Sequence, residues 1–195
     1  MDGIEKLKQD LVYVQAMVKE LTNYLYSEVV YWPSLGGGVP DLTLGGFLMR
    51  VRRLEMLSYL ISEAEQQTLM QTVTEFKDLT SDLAATLEQK ATLELEIRIK
   101  QWEQNLSDYW DAETIEKEYY KTDVQVRTII TDLLVMLALP QNQRDQELVL
   151  RLAALDDRLQ AAWQIGDFIW PEEWIPAYRR NEYWFLYGYP AVHSG

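Results

Sequence analysis

The residues able to do chemistry are few and poorly spaced for it. The chain has no cysteine and one histidine, His193, in the terminal run Pro190-Ala191-Val192-His193-Ser194-Gly195, where chains usually fray. That inventory removes Ser-His-Asp, Cys-His and zinc-peptidase arrangements. It also removes the Glu-x-x-His pairs of a ferritin-like di-iron site. Carboxylates remain, and Glu63 with Glu65, Glu94 with Glu96, and Glu116 with Glu118 are each two apart. On a helix such pairs point roughly 200° from each other, so none forms a shared magnesium site by itself. Glu172 and Glu173 sit among tryptophans that could stack a sugar, which leaves them as candidates for the paired carboxylates of glycoside hydrolysis. The abundance of surface carboxylates weighs against that use. The sequence therefore designates no catalytic residue, no metal ligand and no cofactor.

A weak anion site is the next candidate. The stretch from Ser34 to Gly46 is glycine-rich and leads into a helix, but it lacks both the Walker pattern and a preceding strand. What remains is a cradle of Gly37 and Gly38 amides, a helix N-terminus, and Arg50 with Arg53, which are three apart and share a face. A tight corner with surface arginines is the simpler reading of the same residues.

The strongest local signal is aromatic. Nine of the 24 residues from Asp167 to Pro190 are Phe, Trp or Tyr. Pro171 and Pro176 forbid a long helix there, and no strand or helix period runs through the whole segment. An ordered, extended strap over 167–190 is expected, packed on the helices and against Tyr31, Trp32 and Pro33. Each buried ring is worth about 1.5–3 kcal/mol. Trp170, Trp174, Arg179, Tyr183 and Trp184 are the expected docking residues, because Trp, Tyr and Arg anchor protein interfaces. A strap that merely closes the core is the more common use of such rings.

These residues must be positioned by helices. Ile4, Leu7, Leu11, Val14, Val18, Leu21 and Leu25 alternate three and four apart, the seam of a coiled coil or bundle helix. With Asp2 and Glu5 as a capping box, this predicts a helix over about 3–29. Five glycines and two prolines make 31–46 a corner, with Asp41 or Thr43 available to cap the next helix. From Phe47 to Leu139 there is no glycine or proline in 93 residues. An apolar stripe from Phe47 to Leu106 predicts one long helix over about 47–107, with an irregular step between Ala64 and Leu69 marking a bend or a change of partner. Unbroken, it would extend ~90 Å at ~1.5 Å per residue. Further helices are expected over about 122–139, stopped before Pro140, and about 144–165, ended by Gly166.

The fold expected is all-α, an elongated helical bundle or helical hairpin in one domain, with one long helix and a non-helical aromatic C-terminal strap. Hydrophobic residues make up 48% and charged residues 25%, the balance of an ordinary folded protein. No run approaches the roughly 18–20 apolar residues that span a bilayer, and the N-terminus lacks a secretory layout. A cytoplasmic setting is expected, and the missing cysteines agree with it weakly. Eighteen basic and 31 acidic side chains give a net charge of −13, which repels phosphate backbones and anionic lipid, so neither nucleic acid nor a membrane is expected as a direct partner. The function expected is a non-catalytic interaction or scaffold protein that binds a protein partner, with self-association through the first or the long helix as an accompanying option. Two other readings stand beside it. One is a pocket for an anionic or carbohydrate-like ligand between corner and strap, built on Glu172, Glu173 and Arg50 or Arg53. The other is an inhibitor or antitoxin-like protein offering its acidic face to a basic partner.

Overall fold

The first helix forms where its stripe predicts. In the computed structural model, which describes residues 2–34, 36, 38–111, 117–138 and 143–191, α1 runs Gly3–Tyr26 and buries Leu7, Leu11, Val14, Val18, Leu21 and Leu25. The Asp2 side chain accepts from Glu5 N at 2.7 Å, satisfying one orphan amide. The chain is mostly helical. Its described residues group into two compact units, Met1–Glu94 with Glu172–Ala177, and Leu95–Pro171 with Tyr178–Gly195.

In the first unit α1 packs against α2 (Leu44–Met56) and α3 (Glu63–Ser81), and α4 (Ala84–Asp111) begins here. The predicted helix over 47–107 is thus three helices. Its first break is written by Ser62 and Glu65: the Ser62 hydroxyl accepts from Glu65 N, and the Glu65 carboxylate accepts from Ser62 N at 2.8 Å. This reciprocal cap starts a new helix, just before the irregular step noted in the stripe. A 3-10 turn over Ser58–Leu60 bridges the gap. The second break follows Thr80 and Ser81, whose hydroxyls donate to Phe76 O and Asp78 O. Such side-chain bonds compete with the helical backbone, and Asp82 caps the end.

The second unit holds the rest of α4 together with α5 (Lys117–Leu137) and α6 (Gln143–Ala161). Pro140 lies outside the described residues. The helix expected to reach residue 165 ends at Ala161, because Trp163–Phe168 forms strand β1, antiparallel to β2 (Tyr187–Pro190). An all-α class is therefore corrected to a mostly helical one with a two-stranded sheet. Gly166 is a strand residue rather than a helix cap. Gly188, at φ +145°, lets the strands meet: a Cβ there would stand 2.1 Å from Gln164 O, so no side chain fits.

Aromatic packing fills this unit. Tyr120 is fully buried among Trp102, Tyr109, Trp163 and Tyr189, with ring centroids 5.8–6.4 Å away. Its hydroxyl donates to Phe185 O at 2.8 Å. Burial pushes the phenol pKa well above its usual value, which keeps it a neutral donor. Arg127 forks onto Asp156 at 2.9 and 2.7 Å, joining α5 to α6, and lies over the Phe185 ring.

Candidate functional site

The expected anion cradle is internally occupied. Arg50 and Arg53 point inward and converge on Asp10 of α1. Arg53 donates to Asp10 Oδ2 from Nε at 2.9 Å and from Nη2 at 2.5 Å, and Arg50 Nε lies 3.3 Å from Asp10 Oδ1. All three are buried. The α2 N-terminus, where an outside anion would sit, is filled from within. Gly45 N donates to the Glu94 carboxylate at 2.8 Å, Gly46 N to Thr43 Oγ1 at 3.0 Å, and Leu44 N to the Tyr24 hydroxyl at 3.2 Å. Glu94 is 0% exposed. Gly38 lies in the corner at φ +77°, and Gly37 lies outside the described residues.

The strap residues divide between inside and outside. Trp174 is buried: its indole Nε1 donates to Gly3 O at 2.9 Å, and the Arg53 guanidinium stacks 3.9 Å above its ring. This 3-10 segment, Glu172–Ala177, docks on α1 and α2. Arg52 secures it by donating to Ala177 O at 2.6 Å. Tyr183 is buried too, its hydroxyl donating to Asp132 at 3.2 Å. Trp170 and Trp184 are half-buried, the first donating to Lys121 O and the second set edge-on against Trp163. Arg179 is exposed, as are Glu172 and Glu173.

A small crevice of ≈ 30 Å³ lies between α1 and the corner, walled by Trp32, Pro33, Pro40 and Met17. It is far smaller than the pockets that hold small ligands. Among the described residues no three His, Cys, Asp or Glu side chains gather as a metal site.

A further candidate surface lies along α3, which the sequence did not single out. Of its 19 residues only Leu69, Thr72 and Thr80 are buried. Leu69 and Thr72 fit the inward face, and Phe76 meets Phe47 of α2 with centroids 4.9 Å apart. Gln66 holds the start of α3 by donating to Ser58 O and Ile61 O, and Lys8 meets Glu65 at 3.6 Å. Two open depressions flank the outer face and meet at Met70 and Thr74. Their apolar walls are Leu69, Met70, Val73 and Leu79, with Met70 64% exposed. Tyr59 and Met56, just before α3, are also exposed. The sequence signal that sets α3 apart is the Ser62-x-x-Glu65 cap.

No helix among the described residues is long and apolar enough to cross a membrane. No family model, no curated protein and no solved structure matches this chain.

Proposed function

We propose that the chain is a non-catalytic, bundle-like helical interaction protein that docks a protein partner on the outer face of α3. The observation that carries this is the apolar surface of a 19-residue helix that buries only three side chains, while Met70, Val73 and Leu79 line open depressions. Met70 is exposed and Val73 and Leu79 are half-buried there, so apolar atoms remain open to a partner. Methionine suits it, because its unbranched thioether adapts to the shape of a partner. The aromatic strap supports this function by holding the fold, since Trp174 and Tyr183 spend their rings inside. Arg179, exposed, and Trp170 and Trp184, half-buried, remain the alternative docking residues. A cysteine-free composition suits a reducing, cytoplasmic setting.

The test is affinity capture with the native chain and with Met70→Glu, each confirmed folded by circular dichroism. A stoichiometric partner held by the native chain and released by Met70→Glu is the expected result. A partner released only by Arg179→Ala with Trp184→Ala would move docking to the strap, and no stoichiometric partner would contradict the interaction function.

A further inference from the structure

We infer that the α3 face takes a basic amphipathic helix: a partner segment with an apolar stripe flanked by lysine or arginine. The inference rests on the docking function proposed above and adds the chemistry of the partner.

The charge on the two depressions is one-sided. Glu55 and Glu63 line one and Glu75 and Asp78 the other, against a single basic wall residue, Lys77. These carboxylates border the apolar centre at Met70 and Val73, so an occupant must bring apolar side chains in the middle and positive charge at the margins. The chain as a whole carries −13, so a second copy of this surface would meet it with like charge, which costs affinity. That argues against self-docking through α3.

The backbone of α3 settles the form of the occupant. Its amides and carbonyls are spent inside the helix, so it offers no edge for strand addition. The walls of the depressions carry no aromatic ring, whereas proline-rich segments dock in aromatic-lined grooves. From Glu63 to Leu79 the face runs for roughly 24 Å at ~1.5 Å per residue, long enough for four turns of a partner helix. Helix in groove is the recognition mode that fits: apolar anchors three and four apart seated on Met70 and Val73, with a basic flank over each acidic margin.

The test uses three synthetic peptides of about 18 residues: leucines at helical spacing with lysine flanks, the same stripe with glutamate flanks, and a scrambled lysine peptide of identical charge without a stripe. Each is titrated into the isotope-labelled full chain and followed by amide NMR shifts. The lysine-flanked peptide is expected to bind saturably, to shift amides of residues 63–79, and to weaken as salt rises. Met70→Glu is expected to weaken it about tenfold, and Glu75→Gln with Asp78→Asn several-fold while leaving the apolar centre intact. Absence of saturable binding, shifts centred away from α3, or equal binding by the scrambled or glutamate-flanked peptide would each overturn the inference. Failure here with a Met70-dependent partner still captured leaves the docking function standing and rejects only the basic helix. Loss of every stoichiometric partner rejects the docking function itself.

Discussion

The aromatic strap and helix α3 invert what their compositions suggest. The strap is rich in Trp, Tyr and Arg, the vocabulary of interfaces, yet Trp174, Tyr178, Tyr183 and Phe185 are buried within the chain's own core. Helix α3, polar and threonine-rich, leaves Met70 largely exposed and buries two threonines among its three core residues. Residue types that bind well are consumed wherever the fold needs them first. Surface left over from folding is what the docking role proposed for α3 rests on.

Substitutions can break this comparison, and the largest effect is expected in the strap. Trp174→Ala removes a buried indole, its bond to Gly3 O and the face on which Arg53 stacks. A loss of about 3–5 kcal/mol in denaturant unfolding is expected for a Trp-to-Ala cavity; a loss under about 1 kcal/mol, the scale of an exposed side chain, would place Trp174 outside the core. Asp10→Ala comes next. It leaves the Arg50 and Arg53 guanidiniums without their shared carboxylate, and about 3 kcal/mol is expected, since removing one partner of a buried pair strands the other's charge. Urea melts read both changes on one scale.

The middle of the range probes single hydrogen bonds. Tyr120→Phe keeps the ring among its aromatic neighbours and deletes the donor to Phe185 O, for an expected loss of about 1–2 kcal/mol, the cost of an unsatisfied buried acceptor. Met70→Glu, on the other side of the comparison, should alter stability by no more than about 0.5 kcal/mol as an exposed change, while removing the captured partner. A large stability loss there would make Met70 a core residue and end the contrast.

The smallest effect is a pH dependence at the start of α3. The Ser62 amide and hydroxyl hold the Glu65 carboxyl below its ordinary value of 4.5, with Lys8 adding to the shift. A depressed folded pKa means that the unfolded chain binds the proton more readily, so this stabilisation is present above the ordinary carboxylate range and is lost as pH falls through the lower, folded value. Native and Glu65→Gln proteins should accordingly differ in melting temperature at pH 7 and converge on acidification. A difference that persists in acid would assign the effect to packing rather than to the charged cap.

Some of this was legible in the residues and some was not. The α1 stripe from Leu7 to Leu25 reads directly, because local periodicity decides which face is buried. The split of the predicted 47–107 helix was legible in Ser62 and Glu65, a capping box masked by the continuity of the apolar stripe. Strands β1 and β2 were not legible, since Trp163–Phe168 becomes a strand only by pairing with Tyr187–Pro190, and strand preference is set by such tertiary partners. Asp10 reads as an ordinary polar residue beside Leu11. Its burial depends on Arg50 and Arg53, which arrive from a helix far along the chain. The α3 face was hidden for a related reason: Leu69, Val73, Phe76 and Leu79 look like one core stripe, and only the placement of α1 and α2 decides which of them stay outside.

The most direct test of the central claim is hydrogen–deuterium exchange on the full chain, free and with its captured partner. Residues 63–81 should gain protection on binding while 163–190 should remain unchanged. Protection gained in the strap and none along α3 would contradict the account.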